Sequence, residues 1–117
     1  MTDELVPVFR IKDGDRSRPW YARLGFEVVG EHRFTPDLPL YAFLQRGTIN
    51  LHLSEHRGDA PKKGLAYFYV QDLEAIAEEF GQEIEHAPWG LEVNLVDPDG
   101  NRIRCGRLHE PSKEDGQ

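Results

Sequence analysis

Two stretches of this chain, VPVFRIKD from Val6 and LAYFYVQD from Leu65, begin 59 positions apart and follow one pattern. Each runs through large apolar residues with the alternation of a strand and ends on an aspartate placed to cap a following helix. The sequel is alike as well: an amphipathic stretch, a glycine, then further strand-like runs closed by a hairpin. Repetition on this scale indicates two copies of one supersecondary unit, and here the unit reads as βαβββ. That duplication restricts the fold more than any single motif, because both halves must satisfy the same alternation of strand and helix.

In the first copy, residues 5–12 form a strand with Val6, Val8 and Arg10 on one face and Pro7, Phe9 and Ile11 on the other, Pro7 favouring an edge. A short helix follows. Asp13, Asp15 and Ser17 are candidate caps, Trp20, Tyr21 and Leu24 form the apolar stripe, and Gly25 stops it. Pro19 places the expected start near Ser17, or a kink there, since an interior proline costs about 3 kcal/mol. FEVVGEHRF reads as a strand, TPDLP as a loop, and LYAFLQRGTINLHLSEH as a hairpin turning at Arg46 and Gly47.

The segment RGDAPKKG breaks the pattern and marks a linker, about residues 58–63. The second copy then supplies a strand, a helix presenting Leu73, Ile76, Ala77 and Phe80, the strand EIEHA, and a hairpin turning through Asp97, Pro98, Asp99 and Gly100. The expected architecture is α+β: two tandem βαβββ modules, about residues 4–57 and 64–108, with a polar, disordered tail over 109–117.

At 117 residues the chain suits one domain. One cysteine, Cys105, rules out an internal disulfide framework and fits a reducing compartment; its parity with Ile103 points it toward the helices as an inert thiol. No leader-like or membrane-spanning stretch is read, so the expectation is a cytoplasmic protein. A net charge of −7 provides no basic surface for nucleic acid and would attract a cationic small molecule.

The segments VPVFRIKDGDRSRPWYARLGFEVV, EHRFTPDLPLYAFLQRG, LHLSEHRGDA and PWGLEVNLVDPDGNRIRCG resemble, in that order, the vicinal oxygen chelate superfamily of glyoxalases, extradiol dioxygenases and bleomycin resistance proteins, with the bleomycin resistance branch most similar. The resemblance covers about residues 4–108. It implies a concave mixed sheet with helices on the convex side, usually completed by a second subunit as a homodimer. Metal-dependent members carry four ligands on the concave surface, and the matching positions here are Val6, Asn50, Leu65 and Arg104. Valine and leucine have no donor atoms, and an arginine brings a fixed positive charge to where an ion belongs. The expectation is therefore no metal and no cofactor.

The residues of INLHLSEH sharpen this. On a strand, Asn50, His52 and Ser54 share one face while Ile49, Leu51 and Leu53 pack under the helices. A metal site from His52, Glu55 and His56 would need residues from opposite faces or past the strand end to converge. Val6, Val8 and Arg10, with Leu65, Tyr67 and Tyr69, would floor the cavity, and Glu92 and Asn94 would add polar groups. In the bleomycin-binding relatives a tryptophan in a matching PWG contributes to the drug groove, which points to Trp89, and Phe34 resembles another aromatic wall. Arg104 has two readings: pairing with Glu92, or meeting an acidic group of the ligand. The expected ligand-binding set is thus Phe34, Asn50, His52, Ser54, Tyr67, Tyr69, Trp89, Glu92 and Arg104, with no catalytic residue. The resemblance implies a protein that sequesters a bulky small molecule, such as a glycopeptide antibiotic, in a groove at a dimer interface. The alternative is a metal-dependent lyase, isomerase or dioxygenase of the same fold acting on a small oxygen-rich substrate.

Overall fold

The computed structural model describes residues 2–109, so the tail expected from residue 109 lies outside the described residues beyond His109. The elements run β1 (Val8–Arg10), α1 (Gly14–Arg23), β2 (Glu27–His32), β3 (Tyr41–Arg46), β4 (Ile49–Ser54), β5 (Leu65–Tyr69), α2 (Leu73–Phe80), β6 (Glu85–Ala87), β7 (Gly90–Val96) and β8 (Arg102–Leu108). This is βαβββ twice, an α+β fold of tandem modules. Its two four-stranded sheets have the same topology, β1-β4-β3-β2 and β5-β8-β7-β6, each module's first strand lying beside its last. No helix among the described residues is long and apolar enough to cross a membrane.

The chain divides into two compact units. Among the described residues, one runs to Ala66 and includes Val96–Arg102; the other comprises Tyr67–Leu95 and residues 103–109.

In the first unit β1 pairs parallel with β4, placing Val8 beside His52, and β4 pairs antiparallel with β3 from Arg46–Ile49 to Tyr41–Ser54. The hairpin turn is therefore Gly47 and Thr48, one residue beyond the expected Arg46 and Gly47. The glycine's φ of +58° explains the shift, because tight two-residue hairpin loops favour positive φ. Alternation then fixes the faces: Phe9, Ile11, Ala42, Leu44, Leu51 and Leu53 are buried together with Tyr21 and Leu24 of the α1 region.

Helix α1 begins earlier than Pro19 suggested. Asp13, in extended conformation, accepts a bond from Asp15 N and caps the helix, and the interior Pro19 removes only one ladder donor. A second carboxylate secures the same end. Glu55, just past the end of β4, accepts from Gly14 N at 2.8 Å and Leu40 N at 2.9 Å, tying the start of α1 to the approach to β3. Glu55→Ala leaves two part-buried backbone donors without their acceptor, and the expected outcome is a loss of about 2–3 kcal/mol in urea unfolding with the slope unchanged.

The turn between β7 and β8 belongs to this unit and is its polar centre. Asp97 is 4% exposed. It accepts from Tyr21 Oη at 2.7 Å, from the backbone N of Asp99 and Asn101 at 2.8 Å each, and from Asn101 Nδ2 at 2.9 Å. Asn101 in turn donates to Arg10 O and accepts from Gly64 N. Burial and the neighbouring Asp97 carboxylate push the Tyr21 phenol far above its ordinary range, so it is a permanent donor.

In the second unit Leu73, Ile76 and Ala77 of α2 are buried, as are Val93 and Leu95 of β7 and Ile103 and Cys105 of β8. Opposite parity leaves Tyr67 and Tyr69 of β5 exposed.

Candidate functional site

The exposed face of the second unit is built on β5, β7 and the turn before β7. Tyr67 and Tyr69, two positions apart on a strand, necessarily share a face, and their rings lie 5.2 Å apart. Ala87 pairs with Gly90, so Pro88 and Trp89 form a two-residue turn that projects the indole, 54% exposed, at the edge of the sheet. Glu92 brings them together: its Oε2 accepts from Tyr67 Oη at 2.8 Å and from Trp89 Nε1 at 3.1 Å. Desolvation leads the causes that raise the Tyr67 phenol, with the Glu92 hydrogen bond next. The phenol therefore keeps its proton and donates. A Cβ on Gly106 would meet Tyr67 Oη at 2.2 Å, so only glycine lets the phenol lie down on β8 and reach Glu92. The result is an open aromatic platform in which one carboxylate is held by Tyr67 and Trp89.

Asn94 donates to Glu85 at 2.7 Å. Arg104 is half-buried on β8 and forms no ion pair with Glu92 among the described residues, the oxygen Oε2 being engaged by Tyr67 and Trp89.

In the first unit the open face of β4 carries Asn50 and His52. Asn50 Nδ2 donates to Glu4 Oε2 at 3.0 Å. His52 lies opposite Phe43 and contacts Tyr41, Oη to Nδ1 at 2.9 Å. Burial raises the Tyr41 phenol, so Tyr41 donates, Nδ1 accepts, and Nε2 carries the imidazole proton. Phe34 is 74% exposed and meets His32 edge-on. His32, Phe34, Tyr41 and Phe43 line a recess of about 480 Å³ together with His56 and Asp59. Ser54 shares strand parity with His52 but is fully buried, its hydroxyl donating to Asp59 Oδ2 at 2.7 Å and accepting from His56 N. It fastens the loop after β4. Tyr41, Phe43 and Glu4 were absent from the expected site, although alternation through YAFLQR carried the signal for the first two.

Burial lowers the pKa of His52, with the Glu4 charge opposing, so the ring is neutral at pH 7. Its folded value lies below the unfolded value of 6.5, so the unfolded chain takes up the proton first as pH falls. The contribution of His52 is complete above the unfolded value and is lost as pH drops below it. Urea midpoints at about pH 7.5 and 5.5 should therefore converge in His52→Gln relative to the parent chain, and an imidazole NMR titration should place His52 below an ordinary histidine.

The four positions that resemblance aligns with metal ligands do not form a donor set. Val6 and Leu65 have no donor atom, Arg104 is cationic, and the Asn50 side chain is engaged by Glu4. Among the described residues no three His, Cys, Asp or Glu side chains are placed to hold a metal ion.

The sequence family described as "Glyoxalase superfamily protein" matches residues 1–111. A bleomycin resistance protein of Klebsiella pneumoniae is 32% identical in an alignment that covers 89% of this chain and 91% of that protein. Among solved structures, the bleomycin resistance determinant encoded on the transposon Tn5 superposes with a TM-score of 0.69 at 25% identity, covering 93% of this chain and all of that one. A bleomycin-binding protein complexed with bleomycin gives a TM-score of 0.68 at 24% identity over 92% of this chain and all of that one. Family match, curated relative and fold agree over nearly the whole length, and the chain belongs to the glyoxalase superfamily.

Proposed function

We propose that this protein is a cytoplasmic homodimer that binds and sequesters a bulky, planar or cationic small molecule of the bleomycin type, without a metal of its own and without chemical change to the ligand. The observation that carries this reading is the platform of Tyr67, Tyr69 and Trp89 around the Glu92 carboxylate. Flat heteroaromatic rings stack on such a surface, and the anion favours a positively charged neighbour. The first unit has an aromatic surface of its own, where Phe34, Tyr41 and Phe43 line a recess. Likeness to bleomycin resistance proteins supports the ligand class. Sequestration works by mass action and needs only affinity and protein in excess of drug.

The test is a fluorescence titration with metal-free bleomycin. Trp20→Phe leaves Trp89 as the sole indole among the two tryptophans. Its emission should change saturably at micromolar drug, and sedimentation should give about twice the 13.4 kDa chain mass. Unchanged emission into the high micromolar range refutes a bleomycin-type ligand.

A further inference from the structure

The first unit contains a second recess, of about 660 Å³, with a quite different lining: Arg10, Lys12, Arg57, Lys62, Lys63 and Asp99. The chain has 21 acidic and 14 basic residues, so five cations around one opening run against its average charge. Asp99 does not neutralise them. Its Oδ1 accepts from Lys12 N at 3.0 Å and from Arg16 at 3.2 Å, and its Oδ2 from Ser17 Oγ at 3.2 Å, so its charge is met by Arg16. Among the described residues no carboxylate pairs with Arg57, Lys62 or Lys63.

The backbone adds an independent observation. Lys63 is the one non-glycine among the described residues with positive φ, +57°, a conformation that L-residues disfavour. Its aliphatic stem is packed on Gly100, where a Cβ would lie 3.3 Å from Lys63 Cγ. A surface lysine serving only solubility needs neither a strained backbone nor a seat for its stem. Arg10 is also held, its guanidinium donating to the Ile11 carbonyl. Two of the five cations, Lys63 and Arg10, are thus held beside a space within the roughly 300–1,000 Å³ range of small-molecule sites, where the mutual repulsion of all five is relieved by a multivalent anion.

We propose that this recess binds a compact polyanion, an oligophosphate or a polycarboxylate. No aromatic residue lines it, so recognition rests on charge and hydrogen bonding and not on a stacked ring. A net charge of −7 opposes a long polyanion such as nucleic acid while leaving a short one free to enter.

Calorimetric titration of the full chain at about 20 mM salt, with sodium tripolyphosphate in one arm and citrate in the other, tests the site. Saturable one-to-one heat in either arm is expected, the tighter arm identifying the anion class, with affinity falling steeply as salt rises to about 300 mM. The double variant Lys62→Gln, Lys63→Gln should bind at least about tenfold more weakly, because two charge-assisted contacts are removed. Lys63→Gly, which relieves the positive φ, should melt no lower than the parent chain and still bind more weakly. Arg102→Gln, exposed and outside the recess, should bind unchanged. Absence of saturable heat into the millimolar range in both arms, equal affinity in the double variant, or tighter binding to duplex DNA than to tripolyphosphate would each overturn the proposal.

Discussion

Asp97→Ala is expected to lower stability by about 3–5 kcal/mol, enough to leave a large unfolded fraction of a small domain at physiological temperature. The carboxylate accepts from one phenol, one side-chain amide and two backbone amides, and Tyr21 and Asn101 are fully buried. Alanine leaves these donors in a space where water has no ready access, so the loss is the desolvation of several groups together. Tyr21→Phe removes only one of these donors and keeps the ring, and should lose about 1–2 kcal/mol. Urea unfolding of both variants and of the double variant measures the coupling. Strict additivity between the two substitutions would mean that Tyr21 and Asp97 do not act together.

The second large effect concerns the platform. Trp89→Ala should weaken a bleomycin-type ligand by about 2 kcal/mol or more, roughly thirtyfold in Kd, because an exposed indole is already held by its bond to Glu92 and loses little freedom on binding. Glu92→Gln should weaken a cationic ligand by roughly tenfold while changing a neutral analogue far less. The comparison separates charge from stacking. Equal losses for cationic and neutral ligands would show that Glu92 only orients the two aromatic side chains. Both positions are on the surface, so melting temperatures should stay within a few degrees of the parent chain.

The duplicated modules and nearly all the strands were legible from alternation, since Phe9, Leu51, Leu53, Val93 and Ile103 follow period two into the core. The start of α1 was legible only in that Asp13 stood among the candidate caps. Pro19 is a strong local signal, but the cap that overrides it comes from Asp13 and the anchoring of Gly14 from Glu55, which is distant in sequence. Trp89 and Tyr67 were nameable from motif and parity, yet nothing local says that both donate to one oxygen of Glu92; that depends on the close approach over Gly106. Ser54 illustrates the opposite limit. Parity puts it beside His52, but at the strand end the following loop turns back and takes its hydroxyl. Alternation gives a side chain's direction and says nothing about what later covers it.

The place of Val96–Arg102 in the first compact unit bears on how the chain is made. The repeat in the sequence suggests that the first module could fold as soon as it leaves the ribosome. It cannot complete its interior then, because the acceptor for the Tyr21 hydroxyl arrives only with Asp97, 76 residues later. An N-terminal fragment ending at the linker should therefore be markedly less stable than the same residues in the full chain, and the first unit can close its polar centre only after most of the second half has been synthesised.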